Sequence, residues 1–167
     1  REARANTVRR KDISNLNYIN IPDSVIPSDI SDDEINEYRT TLLNLQARKI
    51  LNLSGLTNTD LKEKYGVANL SALSEYDENY ITLVNIIARC GARLIEIGNC
   101  SLAAVILEYG ISIGTDVSRN YYMLAELYRK DNNITGINSL IESADKLDSI
   151  MKAPIISKLN EIKAAVS

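Results

Sequence analysis

The chain has 167 residues and a formal net charge of −3, so it is long enough to bury a hydrophobic core and offers nucleic acid no overall electrostatic attraction. It has no His, so the commonest general base and the commonest metal-binding side chain are missing. Its only cysteines, Cys90 and Cys100, are too few to enclose a zinc ion by themselves. We therefore predict no catalytic residue, no metal site, no cofactor and no nucleic-acid partner. We expect both cysteines to be free and buried. Nine Tyr with no Phe or Trp leave aliphatic side chains to fill the core, which favours packed helices.

The first twelve residues are basic. They contain two acidic residues, Glu2 and Asp12, and five cationic residues, Arg1, Arg4, Arg9, Arg10 and Lys11. Two interpretations stay open: a solvated, frayed terminus, or a segment that follows a transmembrane helix on the cytoplasmic side of a membrane. The second interpretation gives a domain held near a membrane, on its cytoplasmic side, by a segment upstream of Arg1. Within the chain itself no apolar run is long enough to span a bilayer.

Residues 13–30 are predicted to be extended. They contain Pro22 and Pro27 and show neither a helical nor a two-residue period, and proline disfavours helix at the preceding residue. Because the stretch also carries several large apolar side chains, we expect it to lie on the helical body. Residues 1–30 thus form a basic and then proline-containing extended tail.

Helical patterns begin at Ser31. The sequence Ser31-Asp32-Asp33-Glu34 has the form of a capping box, and an apolar stripe at steps of three and four follows it to a predicted stop near Ser54-Gly55. A short helix over 61–65 comes next and ends at Gly66. Residues 67–73 are ambiguous, with a third short helix as one option. We expect residues 31–76 to form an N-terminal helical cap.

Four further helices and a terminal one are predicted beyond residue 76. The periodicity predicts a helix from Asp77 to Gly98 and then helices over 101–113, 119–130, 135–147 and about 154–166. The last helix has an apolar face, with Lys158 and Glu161 away from it, as expected of an element that closes a stack of helices. Residues 152–167 are therefore predicted to be a C-terminal cap.

Residues 84–117 match residues 118–151 at a constant offset, which we call the repeat length. Small and large apolar residues recur at the same places in both stretches: Gly91 aligns with Ala125, Leu94 with Tyr128, Gly98 with Asn132, Ala103 with Ile137, Leu107 with Ile141 and Gly110 with Ala144. Because Gly91 and Ala103 are small, we place them where two antiparallel helices cross closely.

This period and pattern resemble the tetratricopeptide repeat, a helix–turn–helix unit of about 34 residues. Tyr121 takes the place of the large aromatic residue that opens the family's pattern, and Leu124-Ala125, Tyr128 and Ala144 follow it. The departures from the pattern are Leu94, Thr115, Ile137 and Ser149. The resemblance implies an all-α superhelix of helix–turn–helix repeats, with two repeats over residues 77–151 between the N- and C-terminal caps.

The resemblance also implies a concave groove lined by the first helix of each repeat. Mapped residue by residue, the groove takes Asn85, Ala88, Ala92, Ile95 and Glu96 from the first repeat, and Arg119, Tyr122, Glu126, Arg129 and Lys130 from the second. The second set combines an aromatic ring with three cations and one acid, which suits an extended peptide, especially an acidic one. The alternative is a solvated helix face on which Glu126 and Lys130 form an ion pair.

We therefore predict a non-catalytic protein-interaction module that binds a peptide or protein in the concave groove. The alternative is a structural or membrane-tethered assembly domain of a larger protein whose N-terminal part precedes Arg1. An enzyme is the least favoured class, because no nucleophile–base pair or pair of carboxylates has a supported geometry.

Overall fold

The computed structural model describes residues 1–166, and in this range the regular secondary structure consists of helices, without strands, which confirms the predicted all-α class. The α-helices are α1 (Glu2–Ala5), α2 (Asp33–Gln46), α3 (Asn58–Tyr65), α4 (Leu70–Glu96), α5 (Cys100–Ser112), α6 (Ser118–Lys130), α7 (Ile134–Asp145) and α8 (Lys152–Ala164). Short 3-10 turns lie at Asp23–Val25 and Val67–Asn69.

The helices from α4 to α8 form two layers. Each helix packs against the next one along the chain, and α4 also packs on α6, and α6 on α8. Helices α4, α6 and α8 therefore form one layer, and α5 and α7 form the other. The core between them is aliphatic apart from Cys90 and two tyrosines, Tyr80 and Tyr121, whose hydroxyls donate hydrogen bonds of 3.1 and 2.8 Å to the carbonyls of Ile113 and Thr115. A methyl group at Gly91 would lie 2.5 Å from Leu107 Cδ2, so Gly91 marks the α4–α5 crossing as predicted.

The repeat length recurs in the helix bounds. Helices α5 and α7 begin at Cys100 and Ile134, and α6 and α8 span Ser118–Lys130 and Lys152–Ala164, so the members of each pair start one repeat length apart. On α6 and α8, residues separated by one repeat length therefore lie the same number of residues from the start of their helix, and we call such residues equivalent positions.

The α4–α5 and α6–α7 turns also repeat in their hydrogen bonds. Gly98 and Asn132 both have positive φ, as their alignment predicts. The next residues, Asn99 and Asn133, each donate a backbone N–H bond of 2.8 Å to the carbonyl five residues earlier. Their side chains then cap α5 and α7 by accepting from the amides of Leu102 and Gly136. The two turns are therefore built in the same way.

Helix α2 packs antiparallel to α4. Near one end Asn79 Nδ2 donates to the Lys49 carbonyl at 3.0 Å, and near the other the Arg93 guanidinium lies against the carboxylate of Asp32. The predicted capping box at Ser31 is wrong by one residue, since Asp32 is the N-cap and accepts from the Ile35 amide at 3.0 Å. Helix α3, by contrast, does begin with a capping box, formed by Thr57 and Asp60.

Two predicted helix bounds in this region are wrong. Helix α2 ends at Gln46, and the apolar residues Ile50, Leu51 and Leu53 beyond it are buried in an extended segment whose backbone bonds to Ile19 and Tyr76. Helix α4 begins at Leu70, so it takes in most of the ambiguous stretch 67–73 and runs without a break through the boundary drawn at residues 76 and 77.

The N-terminal tail lies on the helical body over its whole length. Ile21 is buried, and the backbone carbonyls of Asn20 and Ile21 accept hydrogen bonds of 2.8 Å from Tyr109 of α5 and Gln46 of α2. Helix α1 packs on α3, where Arg1 pairs with Asp60 and Glu63. Arg1 thus lies against α3, while most of residues 1–12 are exposed, and both interpretations of this basic segment remain predictions.

The Arg93–Asp32 pair gives an acid-dependent contribution to stability. The guanidinium makes contacts of 2.7 and 3.1 Å to the two carboxylate oxygens, and together with the Ile35 amide it lowers the pKa of Asp32 from its ordinary value. A folded-state pKa below the unfolded value of about 3.9 stabilises the fold above that pH, and this stabilisation is lost as the pH falls through the folded pKa.

We expect Asp32→Asn, which keeps the helix cap, to be less stable than the parent at pH 7, with the difference in free energy of unfolding shrinking below about pH 4. Urea unfolding of both proteins across this range measures it. The control is Asp33→Asn, because Asp33 forms no ion pair within residues 1–166. A difference for Asp32→Asn that is the same at pH 3 and pH 7 would contradict the assignment.

Candidate functional site

The candidate site is the solvent-facing side of the layer formed by α4, α6 and α8. Equivalent positions on the three helices, each one repeat length from the next, are Asn85, Arg119 and Ala153, and all three are exposed. We call this surface the inner face, and it comprises Asn85, Arg89, Ala92 and Glu96 of α4, Arg119, Tyr122, Met123, Glu126, Arg129 and Lys130 of α6, and Ala153, Ile156, Ser157 and Asn160 of α8. It contains eight of the ten residues predicted for the groove; of the other two, Ala88 is buried and Ile95 packs against the core.

The structure gives these predicted residues different exposures. Four of them are exposed, Asn85, Glu96, Arg119 and Lys130, and four are half-buried, Ala92, Tyr122, Glu126 and Arg129. Ala88 is only 3% exposed, so its assignment to the groove surface is wrong. Its methyl group is too short to reach solvent between the longer side chains around it, and it contributes to helix packing instead.

Several charges of the inner face are neutralised within the face or beside it. Glu126 Oε2 accepts a charge-assisted hydrogen bond of 2.8 Å from Arg129 Nε, so the predicted pair of Glu126 with Lys130 is wrong. Both cations lie within one turn of Glu126, and the half-buried Arg129 is the one that contacts it. On α4, Glu96 is held at 2.9 Å by Arg93, which also binds Asp32. In the described part of the chain, Arg119 and Lys130 have no carboxylate within ion-pair distance.

Two neighbouring clefts lie at the end of the inner face where α6 and α8 begin. One, of about 450 Å³, is bounded by the α5–α6 turn, the α7–α8 turn and the segment around Asn52. The other, of about 410 Å³, continues along α4 beside Ile81 and Asn85. They share Ser54, Asp116, Asp148 and Ser149. Sequence reasoning missed these clefts, because their walls come from separate turns that no local pattern connects.

The shared wall of the clefts carries unpaired carboxylates. Asp116 accepts a hydrogen bond of 3.0 Å from the Ser149 hydroxyl, and neither Asp116 nor Asp148 has a cation within 4 Å in residues 1–166. Asp77 lines the second cleft, and burial raises the pKa of its carboxyl group although the Leu53 amide donates to it. The two clefts therefore carry three carboxyl groups against one cation, Lys146, among the described residues.

Within residues 1–166 no group of three or more Cys, Asp or Glu side chains is placed to hold a metal ion, and no helix is long and apolar enough to cross a membrane. Cys90 is buried and free as expected, and burial raises its pKa to about 12. Cys100 is also free but exposed, contrary to expectation, because it is the first residue of α5 and points outward.

No protein-family model, no curated protein and no solved structure matches this chain. The family resemblance is therefore carried by the residues alone, through the match of Val84–Val117 onto Ser118–Met151. The helix starts and the two repeated turns have the same offset.

Proposed function

We propose that the chain is a tetratricopeptide-like protein-interaction module, without catalytic activity, that binds a peptide or protein segment on the inner face. The observation that supports this most is the arrangement of the layers. Helix α6 packs directly on both α4 and α8, whereas α5 and α7 do not pack on each other to a comparable extent in the described residues. Helices that are closer together in one layer than in the other bend the stack, with the closer layer on the concave side.

The lengths of the side chains at equivalent positions of α4, α6 and α8 also favour binding on this face. On the central helix α6, Arg119 lies between the shorter residues Asn85 and Ala153, and Tyr122 lies between Ala88 and Ile156 at the equivalent positions of the flanking helices. Arg119 and Tyr122 are therefore longer than most of their neighbours in the layer. An aromatic ring and a guanidinium are among the side chains most often found to anchor a protein partner.

The test is an affinity capture of partners from cells with the parent domain and with Arg119→Ala/Tyr122→Ala. Arg129 is left intact because Glu126 already neutralises it. Removal of two anchors is expected to weaken a captured partner by about 2 kcal/mol or more. Binding of each captured partner to the purified variants measures the loss.

The matched control is Arg48→Ala/Val105→Ala, since both residues are exposed and lie outside the inner face. All proteins are first checked for a cooperative thermal melt. Partners that the Arg119→Ala/Tyr122→Ala variant retains as well as the control does would rule out binding through α6.

A second candidate function is the assembly domain held at the cytoplasmic side of a membrane. It is supported by the side chains of Arg4, Arg9, Arg10 and Lys11, which are exposed although the backbone of this segment packs on α3 and Gly66. The folded segment thus presents several cations on one part of the surface.

If this part of the surface lies at a membrane, the domain should bind anionic phosphatidylserine vesicles by about 1 kcal/mol per basic residue, and release them as salt rises. Vesicle sedimentation of the parent and of Arg9→Gln/Arg10→Gln/Lys11→Gln measures this. If the two proteins sediment equally with the vesicles, or if neither protein sediments with them, the membrane hypothesis is contradicted.

A further inference from the structure

The clefts at the end of the inner face continue into an exposed apolar surface. Ile150 in the α7–α8 turn is 94% exposed, and with Ala153 and Ile156 it lines a depression that meets the two clefts at Ser149. On the α4 side Ile81 is 50% exposed and Leu56 is 40% exposed. We call this set, Leu56, Ile81, Ile150, Ala153 and Ile156, the apolar strip. Aliphatic side chains grouped at such exposures are typical of a surface that binds another molecule.

The charges beside the apolar strip are mostly negative. Asp77, Asp116 and Asp148 line the clefts between its two ends, where Lys146 is the one cation among the described residues. Lys152 lines the depression beside Ile150, and its ammonium group already pairs with Asp145 at 3.6 Å. None of the three acids forms an ion pair within residues 1–166. An apolar partner that covered them would desolvate carboxylates without compensation, and an acidic partner would be repelled.

We propose that the apolar strip and the clefts bind a segment of a partner protein that carries aliphatic side chains next to Lys or Arg. This inference rests on the proposed function and names the chemistry of its partner. The aliphatic side chains of the segment cover Ile81 and Ile150, and its cations lie against Asp116 and Asp148. The sequence had favoured an acidic peptide on α6, but Arg129 is neutralised there, while the carboxylates of the clefts have no such partner.

The test uses three fluorescent peptides as probes: one that alternates leucine and lysine, one with glutamate in place of lysine, and one with serine in place of leucine. Fluorescence anisotropy at low salt is expected to give at least about tenfold tighter binding for the leucine–lysine peptide than for either of the others. Asp116→Asn/Asp148→Asn is expected to weaken its binding about tenfold and to flatten its salt dependence. Ile150→Ser should also weaken it.

The control is Asp131→Asn/Glu142→Gln, which changes the net charge equally but alters exposed acids outside the clefts. Equal weakening by the control, a preference for the glutamate peptide, or no binding of any peptide would overturn the inference. So would a dimer, detected by sedimentation, that Ile150→Ser dissociates, because the strip would then be covered by a second copy of the chain.

The same variants separate this inference from the proposed function. Captured partners that are lost with Arg119→Ala/Tyr122→Ala but bind Asp116→Asn/Asp148→Asn normally would leave the inner face as the binding site and refute the basic segment. Partners that neither variant affects would refute both.

Discussion

Replacement of Gly91 by leucine is expected to lower the free energy of unfolding by about 3 kcal/mol, because it overpacks the crossing of α4 and α5. The first carbon of any side chain at this position would lie 2.5 Å from Leu107 Cδ2 and 2.8 Å from Leu107 Cγ. Leu107 is fully buried, so it cannot move aside into solvent. Chemical denaturation of the parent and of Gly91→Leu measures the loss.

The control for Gly91→Leu lies at the next residue. Ala92 is half-buried on the inner face, and Ala92→Leu adds bulk to the same helix turn without entering the crossing, so we expect a change within about 0.5 kcal/mol. Gly91→Ala should fall between the two, because a helix gains about 1 kcal/mol when alanine replaces glycine and this offsets part of the clash. A Gly91→Leu protein as stable as the parent would mean that the helices do not cross at this point.

An equally large effect is expected at Leu124, from a comparison with the equivalent residue of α8. Leu124 of α6 is fully buried, whereas Lys158, one repeat length later on α8, has a side chain that is 51% exposed and pairs with Glu161. The same position in the layer is covered on α6 and open on α8. Leu124→Lys places an ammonium group in the core and should cost about 4 kcal/mol or more, through lost apolar burial and an unpaired charge.

The reciprocal change, Lys158→Leu, should change the free energy of unfolding by no more than about 0.5 kcal/mol, because the side chain at this position is exposed and buries little apolar surface. Thermal and urea unfolding of the two variants tests the pair. Similar destabilisation by both changes would contradict the burial of Leu124 and the exposure of Lys158 on which the prediction depends.

Much of the repeat region could be predicted from the sequence. Helices were predicted over 101–113 and 119–130, and α5 and α6 lie within one residue of those bounds. The prediction worked because each turn has residues that tolerate positive φ, Gly98 and Asn132, followed by an Asn that caps the next helix. Structure in this region is determined by contacts close in the chain.

The predictions failed where distant segments decide the structure. Ile50 continues the apolar stripe of α2, but its backbone carbonyl bonds to the Ile19 amide of the N-terminal tail, and the chain there is extended. A buried extended segment and a buried helix turn have the same apolar content over so few residues. Arg1 at the start of the tail pairs with Asp60 and Glu63 of α3. These partners are far away in the sequence, so the sequence of the tail alone does not reveal the contact.

The candidate site divides in the same way. The predicted residues of α6 lie together because they share one helix face, which periodicity identifies. Ala88 was also assigned from periodicity, but it is buried. Periodicity identifies the helix face on which a side chain lies, but it does not show whether a short side chain reaches solvent. The clefts around Asp116 and Asp148 combine turns that are far apart in the sequence, so only the folded chain brings them together.

The central claim is that α4, α6 and α8 present the partner-binding surface. Amide hydrogen exchange of the domain, measured with and without a captured partner, tests it most directly, because a bound segment slows exchange where it covers the helices. We predict slower exchange in peptides from α4, α6, α8 and the turn around Ile150, with α5 and α7 unchanged. Protection confined to α5 and α7, or to α2 and α3, would contradict the claim.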